Sequence, residues 1–293
     1  MEWDAISQAI SAILGYPLNI NSVKTLAGGD INAAFRVAVD TEVYFIKVNR
    51  PNLVDMFEAE FLGLQEIATT RTLRVPQPIV FGRTDTQAFL MLEYLEWGCS
   101  STASDRLIGL QLAEMHQQVQ AYFGWHRDNT LGTHRQFNQP TGDWISFWRD
   151  HRLAVQLKLA ADHGYKGRLQ ILGEQLSVDL SVFFSGYEPV ASLLHGDLWG
   201  GNIAVDTNGL PVIFDPACYY GDREADIAMT ELFGGFSADF YATYCETWPL
   251  DRGYEIRKDL YNLYHILNHL NLFGGGYLRQ AERLMQKLIS EIA

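Results

Sequence analysis

Leu193-Leu-His-Gly-Asp197-Leu-Trp-Gly-Gly-Asn202 runs straight into Ile203-Ala-Val205, and Pro211-Val-Ile-Phe-Asp215-Pro216 follows a short distance on. The two apolar runs flank Asp206-Thr-Asn-Gly209, a sequence suited to closing a hairpin. Pairing Val205 with Leu210 would bring Asn202 and Asp215 to the same open end. Asp197 sits just upstream, in a loop where Gly196, Gly200 and Gly201 let the backbone bend sharply. Two oxygen ligands and a third carboxylate would then converge, as a magnesium-nucleotide site requires. The plainer alternative is a solvated Gly/Asp turn. Three acidic or amide positions at matching offsets argue against it.

The spacing Asp-x-x-x-x-Asn equals that of the protein-kinase catalytic loop, where Asp holds the acceptor hydroxyl and Asn a magnesium ion. Asp215, closing the hairpin, then stands where the D-F-G aspartate of those enzymes stands. The three positions together point to phosphoryl transfer.

At 293 residues the chain suits one large domain or two lobes. Its 47% hydrophobic and 19% charged residues are an ordinary globular composition, with no polar tract that suggests disorder. The net charge of −13 argues against nucleic acid or an anionic membrane as partner. Cys99, Cys218 and Cys245 are far apart and in no metal-like spacing, which suits a reduced, intracellular protein. No window approaches the roughly 20 apolar residues of a membrane span, and the N-terminus does not read as a signal peptide. The expectation is a cytoplasmic protein, a monomer or weak dimer.

Ile6, Ile10 and Ile13–Leu14 mark a short opening helix. Extended runs follow at Ile20–Leu26, Ala33–Val39 and Val43–Val48, the first two joined through Gly28, Gly29 and Asp30. Glycine N–H groups approach anions closely, so this link can fold over phosphates. An ordinary hairpin turn is equally compatible with it. Lys47 shares a strand face with Val43 and Phe45, a costly place for an ammonium unless it meets an anion. On the next helix, about Leu53 to Ala68, Glu60 falls within the buried arc of Phe57 and Leu64. The two most simply pair, either as a structural ion pair or as the kinase bridge that steers lysine onto the α/β phosphates. Pro76–Arg83 and Gln87–Glu93 complete a five-stranded antiparallel sheet. The run from Met91 to Gly98 is where a hinge belongs, with backbone groups near Glu93 and Leu95 facing adenine. From Ser101 the character becomes helical. The division expected is therefore a nucleotide-binding lobe, 1–94, and a catalytic and acceptor-binding lobe, 95–293.

Within the helical part, residues 121–142 read as an irregular surface segment, Trp144–Ala160 as a helix with an aromatic core stripe, and His116 as a hydrogen-bonded packing residue. Asp222 is placed to cap a helix. Asp226 lies beside Ile227 and Met229, where an aspartate usually holds backbone N–H groups, and the loop around His195 is the expected recipient. Two closing helices, from Tyr254 to Phe273 and from Tyr277 to Ile292, flank Gly274-Gly-Gly276, and the first carries His265, Asn268 and His269.

LAGGDIN (26–32), YFIKVN (44–49), MFEAEFLGL (56–64), FGWHRDNTLG (123–132), LLHGDLWGGN (193–202), IFDPACYYGDREADIAM (213–229) and LYHILNHLNLFG (263–274) together resemble the fructosamine kinase, or ketosamine-3-kinase, family. The resemblance runs from about residue 5 to about residue 290. The H-G-D-x-x-x-x-N pattern is shared with aminoglycoside- and choline-kinase-like enzymes, whereas Trp199 and the FGWHRDNTLG block are the more specific marks. It implies an α+β, two-lobed, protein-kinase-like fold that uses ATP and Mg²⁺. It also implies phosphorylation of the 3-hydroxyl of fructosamine or ribulosamine adducts of amines or proteins, whose unstable 3-phosphates shed the sugar and so deglycate the amine. Matched residue by residue, Lys47 and Glu60 become the phosphate-positioning pair and Asp197 the catalytic carboxylate. Asn202 and Asp215 become the magnesium ligands and Trp199 a platform beneath the sugar. His269 joins the substrate-binding set. Some members carry cysteine where Asp30 stands, so thiol-linked control there is not implied. Another small-molecule alcohol kinase of the same superfamily, or a non-catalytic ATP-binding protein, remains an alternative.

Overall fold

The computed structural model describes residues 2–27 and 31–292. Gly28, Gly29 and Asp30, expected to fold over phosphates, lie outside the described residues. In chain order come helix α1 (Trp3–Leu14), strands β1 (Ile20–Leu26), β2 (Ala33–Val39) and β3 (Glu42–Asn49), helix α2 (Val54–Thr70), and strands β4 (Pro78–Arg83) and β5 (Ala88–Glu93). Helix α3 (Thr102–His116), strands β6 (Asn129–Leu131) and β7 (His134–Gln136), and helices α4 (Trp144–Trp148), α5 (Ala154–Asp162) and α6 (Arg168–Asp179) follow. Four short strands, β8 (Ser192–Leu194), β9 (Ile203–Val205), β10 (Pro211–Ile213) and β11 (Tyr219–Gly221), precede helices α7 (Glu224–Leu232), α8 (Ala238–Thr247), α9 (Tyr254–Phe273) and α10 (Leu278–Glu291). Among the described residues, no helix is long and apolar enough to cross a membrane.

The fold is α+β, and contacts divide it into two compact units. The first comprises Met1–Ser104 and Ile203–Pro216, the second Asp105–Asn202 and Ala217–Ala293. Where the sequence suggested a single division at 94/95, residues 95–104 and 203–216 group with the first unit. The reason is local. The Gly98 N–H donates to the Val205 carbonyl at 2.8 Å, and Trp97 stacks on Phe214 with centroids 5.6 Å apart. A Cβ on Gly98 would lie 2.5 Å from the Asp206 carbonyl oxygen, so only glycine allows that approach.

In the first unit the five strands pair antiparallel in the order β1-β2-β3-β5-β4. Alternation along β2 buries Phe35, Val37 and Val39, which meet Ile6 and Ile10 of α1 in a core completed by Ile46, Val48, Phe89 and Met91. Helix α2 buries Phe57, Glu60, Leu64 and Ile67 at helical spacing. The β9–β10 hairpin pairs Val205 with Pro211 and Ile203 with Ile213, one residue away from the register expected from sequence. The Asp206 carboxylate accepts the Asn208 N–H at 2.8 Å and the Leu210 N–H at 3.0 Å. That side-chain-held turn takes in Leu210, which is why pairing starts at Pro211.

In the second unit, α9 is buried on nearly all sides, and α5, α7 and α10 pack against it. The helix expected over 144–160 is present and runs on to Asp162, widened by a π-turn at Arg149–Leu153. That turn carries Arg152, fully buried, to the Phe137 carbonyl (2.6 Å) and Asn138 Oδ1 (2.8 Å), with the rings of Phe147 and Tyr219 facing its guanidinium. The stretch read as irregular surface instead forms the β6–β7 hairpin and buries Asn129, Gln136 and Asn138.

His265 on α9 is buried, and loss of water around an imidazolium, with repulsion from His269, pulls its pKa down to about 3. The unfolded chain titrates near 6.5. Between those values the unfolded state binds a proton that the folded state refuses. Stability is therefore full above about pH 6.5 and falls as pH drops toward 3. Lowering the pH from 7 to 5 is expected to cost on the order of 2 kcal/mol from this residue, read as a fall in the urea midpoint. His265→Phe should shrink that fall. An equal fall in both proteins would mean that His265 protonates within the fold.

Candidate active site

In the first unit two carboxylates meet on a buried lysine. Lys47 lies in β3, between Ala34 of β2 and Leu90 of β5, with 5% of its surface exposed. Its Nζ donates to Glu60 Oε1 at 2.7 Å and ion-pairs with Asp215. Burial acts to lower the lysine's pKa, but Asp215 and Glu60 more than offset it, and Lys47 ends above the ordinary lysine value, firmly charged. One ammonium thus serves two carboxylates. Glu60 bears the cost: burial, with the repulsion of Asp215, pushes it up to about 7 against the pull of Lys47. Asp215 is half exposed at its side chain and has a left-handed backbone, φ +58°. A non-glycine residue in that region, immediately before a proline, is strained, and such strain clusters where a side chain must be aimed.

Glu93 N–H donates to the Gln77 carbonyl at 2.9 Å. Its carboxylate accepts from Arg74 Nη2 at 2.8 Å, and Arg74 also ion-pairs with Asp206. Leu95 is partly buried. Arg74, unremarked in the sequence, therefore ties the end of β5 to the hairpin that carries Asp215.

In the second unit, β8 pairs with β11 and delivers the chain to the His195–Asn202 loop. Gly196 has φ +81°, and a Cβ there would lie 2.2 Å from the Ala217 carbonyl oxygen, so the bend admits only glycine. Asp226 on α7 holds this bend. Its carboxylate accepts the His195 N–H at 2.7 Å and the Gly196 N–H at 2.9 Å, and His116 Nε2 lies 3.2 Å away. Burial alone would raise Asp226, but His116, His195 and the Gly196 N–H hold it below the usual carboxylate range. Arg223 donates to the Tyr244 hydroxyl at 3.0 Å, and that hydroxyl lies 2.8 Å from His116 Nδ1. The network assigns His116 as a neutral ring with its proton on Nε2, directed at Asp226; burial keeps its pKa below the histidine norm.

Beyond the bend, Asn202 Nδ2 donates to the Asp197 carbonyl at 2.8 Å and to Asp197 Oδ2 at 3.2 Å. That fixes the amide orientation and turns its oxygen to the other side. Leu198 is fully buried, whereas Trp199 is 39% exposed. The indole lies over Gly201, where a Cβ would come within 2.3 Å of it, and meets Phe233 edge-on at 6.3 Å. Phe233 in turn contacts His269 at 4.9 Å, so it joins two residues that the sequence named separately. His269 Nδ1 donates to the His265 carbonyl at 2.8 Å. The polar segment misjudged as surface has a supporting role here. Asn129 Nδ2 donates to the Cys218 carbonyl and Gln136 Nε2 to the Ala217 carbonyl, while Ala217 N–H donates to the His195 carbonyl.

Taken unit by unit, Asp215 carries a carboxylate in the first and Asn202 an amide oxygen in the second, each a hard oxygen donor of the kind Mg²⁺ takes. Among the described residues, no group of three or more His, Cys, Asp or Glu could hold a metal.

The family described as fructosamine kinase matches residues 2–291. The chain belongs to the fructosamine kinase family. It is 44% identical over 290 residues to a "Probable ketoamine kinase" of Synechocystis sp., covering 98% of this chain and 97% of that protein. It is 42% identical over 270 residues to a chloroplastic protein-ribulosamine 3-kinase of Oryza sativa subsp. japonica, covering 91% and 78%. Among solved structures, the "Putative fructosamine-3-kinase" of Haemophilus somnus 129PT superposes with a TM-score of 0.89 at 30% identity, covering 98% and 97%. A ternary complex of the aminoglycoside phosphotransferase APH(4)-Ia with ADP and hygromycin B shares the fold at 15% identity and TM-score 0.64, over 98% of each chain.

Asp226→Ala leaves two buried N–H groups without their acceptor, at a cost of about 2–5 kcal/mol. A lower melting temperature is expected together with reduced turnover. Wild-type values for both would show that the bend at Gly196 holds itself.

Proposed function

We propose that this chain is an ATP-dependent ketosamine 3-kinase, transferring the γ-phosphoryl group to the 3-hydroxyl of ribulosamine or fructosamine adducts. The observation that carries this reading is the pairing of Asp197 with Asn202 beside an exposed Trp199, in a chain of the fructosamine kinase family. Lys47, kept charged by Glu60, is assigned to the α/β phosphates. Gly28, Gly29 and Asp30 are assigned to the phosphate loop, and the backbone at Glu93 and Leu95 to adenine. The nucleotide-binding part thus extends beyond residues 1–94 to the hairpin that carries Asp215.

Phosphoryl transfer passes through a loose transition state, so the hydroxyl needs little deprotonation early. Asp197 orients that hydroxyl in line and accepts its proton late. Asn202, by donating to Asp197, keeps the carboxylate from turning away. Mg²⁺, for which Asp215 and Asn202 are the assigned ligands, would supply positive charge to the phosphate oxygens. Trp199 offers a flat face to the C–H side of the sugar, and His269 stands with it through Phe233. The 3-phosphorylated adduct is unstable and sheds its sugar, so the activity deglycates its amine. We place this reaction in the cytoplasm and assign it to a monomer or weak dimer.

Ribulose-lysine and fructose-lysine should both be tried with MgATP, reading ADP release and locating the product phosphate by NMR. Phosphate on O3 is expected, and phosphate elsewhere, or turnover only of aminoglycosides or choline, overturns the reading. Asp197→Asn should lower kcat by about 10²–10³ or more, with nucleotide affinity within a few-fold of wild type. Asp215→Asn should weaken nucleotide binding as well. Equal loss of binding in both variants would contradict this division of roles.

A further inference from the structure

His116 is fully buried at the end of α3, and its ring packs edge-on against Tyr244 of α8 with centroids 5.7 Å apart. A packing residue would need nothing more, yet both ring nitrogens are used. Nδ1 lies 2.8 Å from the Tyr244 hydroxyl, and Nε2 lies 3.2 Å from Asp226 Oδ2. Further out, Arg223 Nη1 donates to that hydroxyl at 3.0 Å and to the Trp248 carbonyl at 3.0 Å, with its guanidinium over the Trp248 ring. A chain of hydrogen bonds therefore runs from the segment after α8, through Arg223, Tyr244 and His116, to Asp226 and the catalytic bend.

The chemistry of its ends gives this chain a direction. A guanidinium can only donate, so Tyr244 accepts from Arg223 and turns its own proton toward His116 Nδ1. That nitrogen is then the acceptor, which leaves the ring proton on Nε2, facing the carboxylate of Asp226. Asp222, Arg223, Asp226 and Tyr244 are the charged and titratable groups that face the ring, with His195 beyond Asp226. Asp226 Oδ2 thus receives two donors, the His116 ring and the His195 N–H, while Oδ1 receives the Gly196 N–H. Only an ionised carboxylate can accept all three. Burial acts to raise the Asp226 carboxyl, and the hydrogen bond from His116 is the largest influence against it.

We propose that His116, oriented by Tyr244 and Arg223, is a positioning residue for phosphoryl transfer, whose Nε2–H keeps Asp226 an ionised acceptor and so holds the His195–Gly196 bend that leads into Asp197. This rests on the ketosamine 3-kinase reading, in which Asp197 orients the acceptor hydroxyl. Being fully buried, His116 acts through Asp226 alone. Without its hydrogen bond the Asp226 carboxyl takes up a proton at a higher pH than in wild type. A protonated carboxyl has one oxygen occupied as a donor, and an N–H of the bend then loses its acceptor.

Two variants separate positioning from packing. His116→Phe keeps a ring against Tyr244 and removes both hydrogen bonds, whereas His116→Gln offers an oxygen to Tyr244 and an amide N–H to Asp226. With ribulose-lysine and MgATP, His116→Phe should lower kcat by roughly ten- to a hundredfold, leave both KM values within a few-fold, and move the acid limb of kcat to higher pH. His116→Gln should recover most of that turnover. In the absence of substrate, nitrogen NMR of the wild-type ring at pH 7 should show a neutral imidazole protonated on Nε2, a measurement that needs no variant to fold. Hydrogen exchange of the His195 and Gly196 amides should quicken in His116→Phe. Wild-type kcat and acid limb in His116→Phe, as large a loss in His116→Gln, or a wild-type ring protonated on Nδ1 overturns the positioning role and leaves the kinase reading standing. If wild type phosphorylates no ketosamine, the kinase reading falls, and unchanged amide exchange in His116→Phe would overturn the hold on the bend as well.

Discussion

A charge taken out of water must be compensated, and each unit of this protein is arranged around one that is. In the first, Lys47 sits in the sheet with Glu60 and Asp215 on its ammonium. In the second, Asp226 is buried with two backbone N–H groups and His116 as its partners. Removing one partner of such a group costs about 3–5 kcal/mol, more than most single contacts contribute. The surrounding helices and strands are therefore held to positions that keep these groups paired, and the functional loops take their geometry from them.

The two arrangements differ in how complete the compensation is. Asp226 has an acceptor role for every neighbour and remains ionised. At Lys47 two carboxylates share one ammonium, and burial, with the repulsion of Asp215, pushes Glu60 up to about 7. Under the proposed function, a phosphate meeting Lys47 would compete with Asp215 for it. The left-handed backbone of Asp215 fits that picture, because strain of this kind survives only where the surroundings dictate the side chain's aim.

Much of this was legible in the residues. A lysine on an apolar strand face and a glutamate in the buried arc of the following helix could only be tolerated together, and the structure joins them. Trp199 stands exposed beside a buried Leu198. The polar stretch 121–142 misled because its composition matches a surface loop. Asn129, Gln136 and Asn138 are buried, and their amides satisfy one another and the backbone at Ala217 and Cys218. Composition counts polar groups and says nothing about whether a distant backbone will meet them.

The sequence by itself determined the element order, the antiparallel sheet and the family, because periodicity and motif spacing are local properties. Tertiary structure alone decided the one-residue register of the β9–β10 hairpin, set when Asp206 caps its own turn, and the π-turn that swings Arg152 inward among rings and carbonyls. It alone grouped that hairpin with the sheet, through Arg74, Gly98 and Trp97. It alone brought together Trp199, Phe233 and His269, residues from three separate stretches. Contacts between residues far apart in the chain depend on packing, and no short window of sequence encodes them.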